Sequence, residues 1–164
     1  MIASIATLLA CSLFGFVRAE RLHERERLLF SLSNDITALR SLMEFSMAPV
    51  TELFSSPRLK NKTLFLFLNE KIETGASLKE AWNYAGETDV LPFSDMRSDE
   101  IMTLSDFFSN FGKSDMETEK RLMERTIELL SEAHVGAKAE AQKKAKLTKT
   151  CGVLIGLCAF IVFL

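Results

Sequence analysis

Leu22–Phe45 reads LHERERLLFSLSNDITALRSLMEF. Leu22, Leu29, Leu32, Ile36, Leu39 and Met43 recur at steps of seven, three and four, which puts them on one face of an α-helix. Leu28, Leu42 and Phe45 broaden the stripe, and Arg27, Asn34, Arg40 and Ser41 hold the opposite face. The alternation of a half-buried strand is missing. Pro49 stops this helix, and Pro49–Ser55 is predicted to form one short helical turn with Pro at its start.

The same period continues toward the C-terminus. Pro57 is expected to open a helix whose face is Leu64, Phe65, Leu68 and Ile72. The apolar run Leu64–Leu68 also fits a buried strand, but no second strand is available to pair with it. Gly75 is a C-terminal stop. Ser77 with Glu80 forms a capping box for a short helix lined by Leu78, Ala81, Trp82 and Ala85 and ended by Gly86. After a loop at 87–95, Arg97, Ile101, Leu104, Phe108 and Phe111 follow four-three spacing, and Gly112 closes that helix. Ser114 with Glu117 reads as a second capping box, and Leu122, Ile127, Leu129, Leu130, Ala133 and Ala137 as the apolar face of the last helix. No strong breaker follows, so a helix over 115–164 would be about 75 Å long. The fold class expected is all-α, a bundle of about five or six helices.

The two ends of the chain differ from this body. The first charged side chain is Arg18 and the last is Lys149, so all 20 Lys+Arg and 22 Asp+Glu of the 164 residues lie between them. Outside stand two uncharged tracts, Met1–Val17 (MIASIATLLACSLFGFV) and Thr150–Leu164 (TCGVLIGLCAFIVFL). A membrane helix needs ~20 apolar residues, with a lower limit near 17. The tracts are therefore expected to be two short spans, 1–17 and 150–164, around a polar domain at 18–149. The second reaches the required length with Leu147–Thr150 and with Lys149 snorkelling to the interface. A cleaved secretory signal is the alternative for the first tract, but a signal carries basic residues before its apolar stretch, and here they follow it.

The flanks set an orientation. Arg18, Arg21, Arg25 and Arg27 follow the first tract, and Lys138, Lys143, Lys144, Lys146 and Lys149 precede the second. The positive-inside rule then puts 18–149 in the cytoplasm and both termini outside. Arg18, Arg21, Lys143, Lys144, Lys146 and Lys149 are the expected contacts to lipid headgroups, each juxtamembrane cation being worth ~1 kcal/mol. Residues 28–137 hold 11 Lys+Arg against 18 Asp+Glu. Such an acidic body is either a solvated surface or a docking face for a basic partner. It excludes a basic nucleic-acid binder, and the apolar content of 48% excludes a disordered chain.

Residues that carry chemistry are few. His23 and His134 stand beside charged neighbours and read as solvated helix faces; metal sites draw several ligands from facing helices. Asp99/Glu100 and Glu117/Glu119 fall in first helical turns, where carboxylates offset the helix dipole. No phosphate-cradling loop, zinc helix motif or nucleophile elbow is present. Cys11, Cys151 and Cys158 all lie in the uncharged tracts, so the body has no disulfide framework. No enzyme activity, metal or cofactor is expected. The tracts do carry small residues at helical spacing: Gly152, Gly156 and Ala159 in the second, Thr7, Cys11 and Gly15 in the first. Small faces let membrane helices approach closely. They fit packing of the two spans on each other, assembly of a homo-oligomer, or neither.

Gly75-Ala76-Ser77-Leu78-Lys79-Glu80-Ala81-Trp82 resembles the Gly-x-Ser-Leu-x-x-Ala segment of the type II secretion system F domain. The layout from end to end resembles the stage III sporulation protein AB family. The likeness includes Gly15-Phe16-Val17-Arg18-Ala19, then Leu104-Ser105-Asp106-Phe107-Phe108 leading to Phe111-Gly112-Lys113-Ser114-Asp115, and the closing segment Lys146–Leu157. Cys151 stands where that family usually has Leu. The resemblance implies a non-enzymatic membrane platform of a secretion-like channel between mother cell and forespore, in the membrane facing the mother cell. It implies as partners a cytoplasmic secretion-type ATPase and other membrane components of the complex. Two other classes compete with it. One is a membrane-bound enzyme or transporter anchored by the hairpin, although the tracts lack the charges that transport favours. The other is a membrane-anchored adaptor unrelated to sporulation.

Overall fold

A computed structural model describes the backbone of residues 2–46, 48–88 and 90–162, and the side chains of 20, 21, 23–46, 48–88 and 90–143. Among the described residues six α-helices follow in chain order: α1 (Ile2–Ser46), α2 (Val50–Phe54), α3 (Lys62–Glu73), α4 (Leu78–Gly86), α5 (Ser98–Asn110) and α6 (Met116–Val162), with a 3-10 turn at Phe93–Asp95. No strand occurs among the described residues. The all-α class expected from the period is what the chain adopts, and Leu64–Leu68 is helical.

The chain divides into two compact units, Leu28–Ala133 and the pair of segments Met1–Arg27 with His134–Leu164. In the first, α2, α3, α4 and α5 pack in sequence around an aromatic cluster. Trp82 stacks on Phe108 with ring centroids 4.7 Å apart, Phe107 on Phe111 at 5.1 Å, and Phe54 tilts against Phe65 at 5.2 Å. Leu29, Leu32, Ile36 and Leu39 of α1 are buried, as the opening stripe requires. Met43 ends the stripe buried, and only Phe45, expected to broaden it, stands out at 87% exposed.

Two helix starts differ from the sequence expectation. Pro57 does not open α3. Leu59 turns into the core, and the amides of Lys60 and Asn61 donate to the buried Asp35 carboxylate of α1 at 2.6 and 3.0 Å, which holds the chain non-helical up to Lys62. At α6 the box is not Ser114 with Glu117. Asp115 accepts from the Thr118 hydroxyl at 2.6 Å, and Glu119 reaches back to accept from the amides of Lys113 and Ser114, each at 3.0 Å. Glu117 faces Arg121 in solvent instead.

The buried face of α6 is also rotated from the expected one. Glu119, Met123, Thr126, Leu130, Ala137 and Ala141 are buried, whereas Leu129 is 40% exposed and Leu122 and Ile127 only half-buried. Thr126 fits there because its hydroxyl donates to the Leu122 carbonyl at 2.8 Å, and Glu119 because it caps. Polar residues in the true stripe hid its phase. The stops are as expected. Gly75 (φ +95°) closes α3 in a Schellman motif, with Ala76 N–H on the Lys71 carbonyl at 3.1 Å and Gly75 N–H on that of Ile72 at 3.0 Å.

Among the described residues no helix is long and apolar enough to cross a membrane. The expected spans 1–17 and 150–164 have their side chains outside the described residues. The backbone is helical through 2–17 and 150–162, so α1 and α6 each join an uncharged tract to the body in one unbroken helix.

Candidate functional site

Three constructions in the molecule use polar side chains in buried or grooved settings. The first joins α1 and α6 within the unit of Met1–Arg27 and His134–Leu164. Arg25 is buried and pairs with Glu140 at 3.0 Å, their side chains 9% and 16% exposed. Beside it His134 Nδ1 lies 3.2 Å from the Glu26 carbonyl oxygen. A carbonyl can only accept, so Nδ1 carries the hydrogen in this contact. His134 is thus half-buried and engaged rather than a solvated face, while His23 sits 3.7 Å from Glu26 Oε2. Ala137 and Ala141, fully buried on the same helix, permit the close approach that the ion pair requires. Arg25 and Glu140, 115 positions apart, are not evident as a pair from the amino-acid sequence. The available signal was Glu140, the single acid among the five lysines of 138–149.

The second is the Asp35 network. Asp35 also accepts from Asn61 Nδ2 at 2.7 Å, and that amide group lies 3.0 Å from Ser31 Oγ. One buried carboxylate thus organises the turn that leads into α3. Charged acceptors to backbone amides are the stronger kind of hydrogen bond, so this network fixes α3 against α1.

The third is a groove between α5 and α6. It has two adjoining parts of about 490 and 270 Å³ that share Asp99, Thr103 and Leu129. Phe107 and Leu122 line the larger part and Leu130 the smaller, while Met102 is 63% exposed at the edge. Glu100 and Glu119, two of the four carboxylates in first turns, are engaged with backbone: Glu100 accepts from the Arg97 amide at 2.8 Å and Glu119 from two amides. Among the described residues no three His, Cys, Asp or Glu side chains stand together as a metal would need.

Two exposed carboxylates are shifted toward the ionised form. Glu80 is held below its ordinary 4.5, first by the Ser77 backbone amide and then by the Ser77 hydroxyl, each 2.8 Å from Oε2. Asp115 is held below 3.8, chiefly by the Thr118 hydroxyl. Both belong to helix starts.

The expected membrane residues fall where little is described. Arg21 and Lys143 are exposed. Arg18, Lys144, Lys146 and Lys149, and the small-residue faces Cys11, Gly15 and Gly152, Gly156, Ala159, lie outside the described side chains.

A family model described as stage III sporulation protein AB matches residues 1–164, the whole chain. The chain matches no curated protein and no solved structure.

Proposed function

The chain belongs to the stage III sporulation protein AB family, and from that premise we propose that it is a non-enzymatic membrane platform in a secretion-like channel complex for endospore formation. In this reading 1–17 and 150–164 are membrane helices in the mother-cell membrane that faces the forespore. Residues 18–149 lie in the cytoplasm, both termini lie outside, and the body couples a secretion-type ATPase to the other membrane components.

The continuity of α1 and α6 carries the reading. Each unbroken helix contains the described part of one uncharged tract, 2–17 or 150–162, and one stripe of core residues of the body. A displacement of the body then reaches the tract through hydrogen-bonded backbone rather than through a loop. Arg25–Glu140 and the buried Ala137 and Ala141 support the coupling, since they tie the two helices together between body and tract. The flanking cations favour the cytoplasmic side.

Two experiments test it. A maleimide should label Ser98→Cys, at the exposed start of α5, only after cells are permeabilised. Labelling of intact cells removes the cytoplasmic body and the ATPase with it. For the coupling, Gly136 is an exposed helical position where an added methyl meets no heavy atom within 4 Å. Gly136→Pro should cost about 3 kcal/mol or more at that turn and block sporulation at normal membrane abundance. Gly136→Ala should gain about 1 kcal/mol and sporulate normally. Normal sporulation of the Pro variant would leave the helix a passive anchor. Recovery of a secretion-type ATPase with the wild-type chain from sporulating membranes is the expected partner result, and its absence rules out the coupling.

A further inference from the structure

Charge matching on α6 differs between its two exposed sides. Toward α1, Glu124 pairs with Arg40 at 2.7 Å, and Lys120 with Glu44 at 3.5 Å. Toward α5, the groove is lined by Asp99, Asp106, Glu132 and the backbone-bonded Glu100 against the cation Arg125, and Asp99, Asp106, Glu132 and Arg125 make no ion pair among the described residues. The same groove leaves Met102 and Leu129 open to solvent. Apolar side chains in a furrow with unmatched carboxylates beside them have a definite complement. It is apolar along one stripe and cationic at its margins.

We infer that the α5–α6 groove docks a basic amphipathic helix of a cytoplasmic protein partner. Its apolar residues cover Met102 and Leu129, and its Lys or Arg side chains meet Asp99, Asp106 and Glu132. The inference rests on the cytoplasmic placement proposed above. A helix fits because the furrow runs between two helices, the setting in which apolar anchors at steps of three and four interdigitate. From Asp99 to Asn110 the wall extends about 16 Å, room for some three turns. Methionine suits such a seat, being unbranched and able to reshape around its guest. The sign of the lining disfavours anionic lipid headgroups and nucleic acid.

The test is made on the full chain in sporulating cells. A photo-reactive phenylalanine analogue replaces Met102, and the adduct peptide is mapped by mass spectrometry. The expected adduct is a segment with basic and apolar residues at helical spacing. Its yield should fall about tenfold in Asp106→Lys/Glu132→Lys, from like-charge contact at the rim, and should be restored by acidic substitutions in the captured segment. The control Glu70→Lys, exposed on α3, should leave the yield unchanged. Circular dichroism confirms that each variant is folded. The inference is overturned by an adduct on lipid, on a second copy of this chain or on an acidic segment. It is equally overturned by no adduct, or by a yield indifferent to the charge reversals. A basic helix captured from a protein that is not an ATPase upholds the groove, and if no ATPase co-purifies with the wild-type chain the ATPase reading falls while the groove stands. An ATPase that co-purifies while Met102 captures nothing does the reverse.

Discussion

Among the described side chains, Leu28–Ala133 and the unit of Met1–Arg27 with His134–Leu164 bury different chemistry. The first uses large rings: Phe54, Phe65, Trp82, Phe107, Phe108 and Phe111 are almost wholly buried. In the second, the described buried side chains are Ala137, Ala141 and Arg25, the last paired with Glu140. Hydrophobic stabilisation scales with the apolar area removed from water. A ring removes many times the area of an alanine methyl, so the described interior of Leu28–Ala133 rests mainly on apolar burial. The described part of the helix pair around Arg25 buries two alanines and an ion pair whose desolvation offsets much of its attraction. Mutations should therefore act through cavities in one unit and through unmatched charge in the other.

Phe108→Ala should have the largest effect. The ring lies against Phe54, Phe65, Trp82 and Phe107. Its loss leaves a cavity at the centre of the cluster and should cost about 3–5 kcal/mol. Trp82, the one tryptophan of the chain, stacks on Phe108 and reports unfolding by its fluorescence. A loss under about 1 kcal/mol would mean that the cluster collapses freely around the gap and that the two units differ less than their composition suggests.

Asp35→Ala comes next, because it places a polar dependence inside the aromatic unit. It strips the acceptor from the Lys60 and Asn61 amides and from Asn61 Nδ2. The expected cost is about 3 kcal/mol, read by the same fluorescence, with Asp35→Asn between it and wild type. An Asp35→Ala variant as stable as wild type would show that the turn before α3 finds other acceptors.

Arg25→Ala probes the other unit. It removes the guanidinium that stands 3.0 Å from Glu140, whose side chain is 16% exposed. A loss of about 2 kcal/mol is expected, smaller than for a fully buried charge because water still reaches the carboxylate. Hydrogen exchange of the α6 amides around Glu140 should speed up while the Trp82 midpoint stays in place. Arg25→Leu/Glu140→Leu should recover most of the protection. Equal shifts in both readouts would join the two units into one cooperative block.

How far the amino-acid pattern predicts these features follows the same divide. The α1 stripe, the Leu64–Leu68 helix, the Ser77–Glu80 box and the stops at Gly75 and Gly112 are local, and local spacing reveals them. Asp35 looks like a solvated residue in mid-helix, since its partners are 25 and 26 positions away. The phase of α6 was hidden because Glu119 and Thr126 occupy its buried stripe with their polarity satisfied locally. Arg25–Glu140, separated by 115 positions, needs the fold before it is visible. The α5–α6 groove is the same case: Asp106 and Leu129 read singly as a surface acid and a core leucine.

The smallest effect concerns acid, and it sharpens the comparison at the helix starts of the body. Glu80 accepts from the Ser77 amide and hydroxyl, and its folded-state pKa is below the ordinary 4.5. A carboxyl depressed by folding contributes stability above its unfolded pKa and loses it as pH falls through the folded value. The loss therefore begins below 4.5 and acts on α4, which carries Trp82. Asp115 adds the same sign below 3.8 at the start of α6. Glu80→Gln keeps an acceptor oxygen but cannot ionise, so at neutral pH it should be slightly less stable than wild type. The two melting curves should converge as the pH drops below the titration. Because Glu80 is fully solvent-exposed, water screens the contact, and the difference should stay below those of the three substitutions above. A Glu80→Gln variant that follows the wild-type acid profile at a constant offset would place the body's acid response elsewhere and leave the Ser77 box a purely geometric cap.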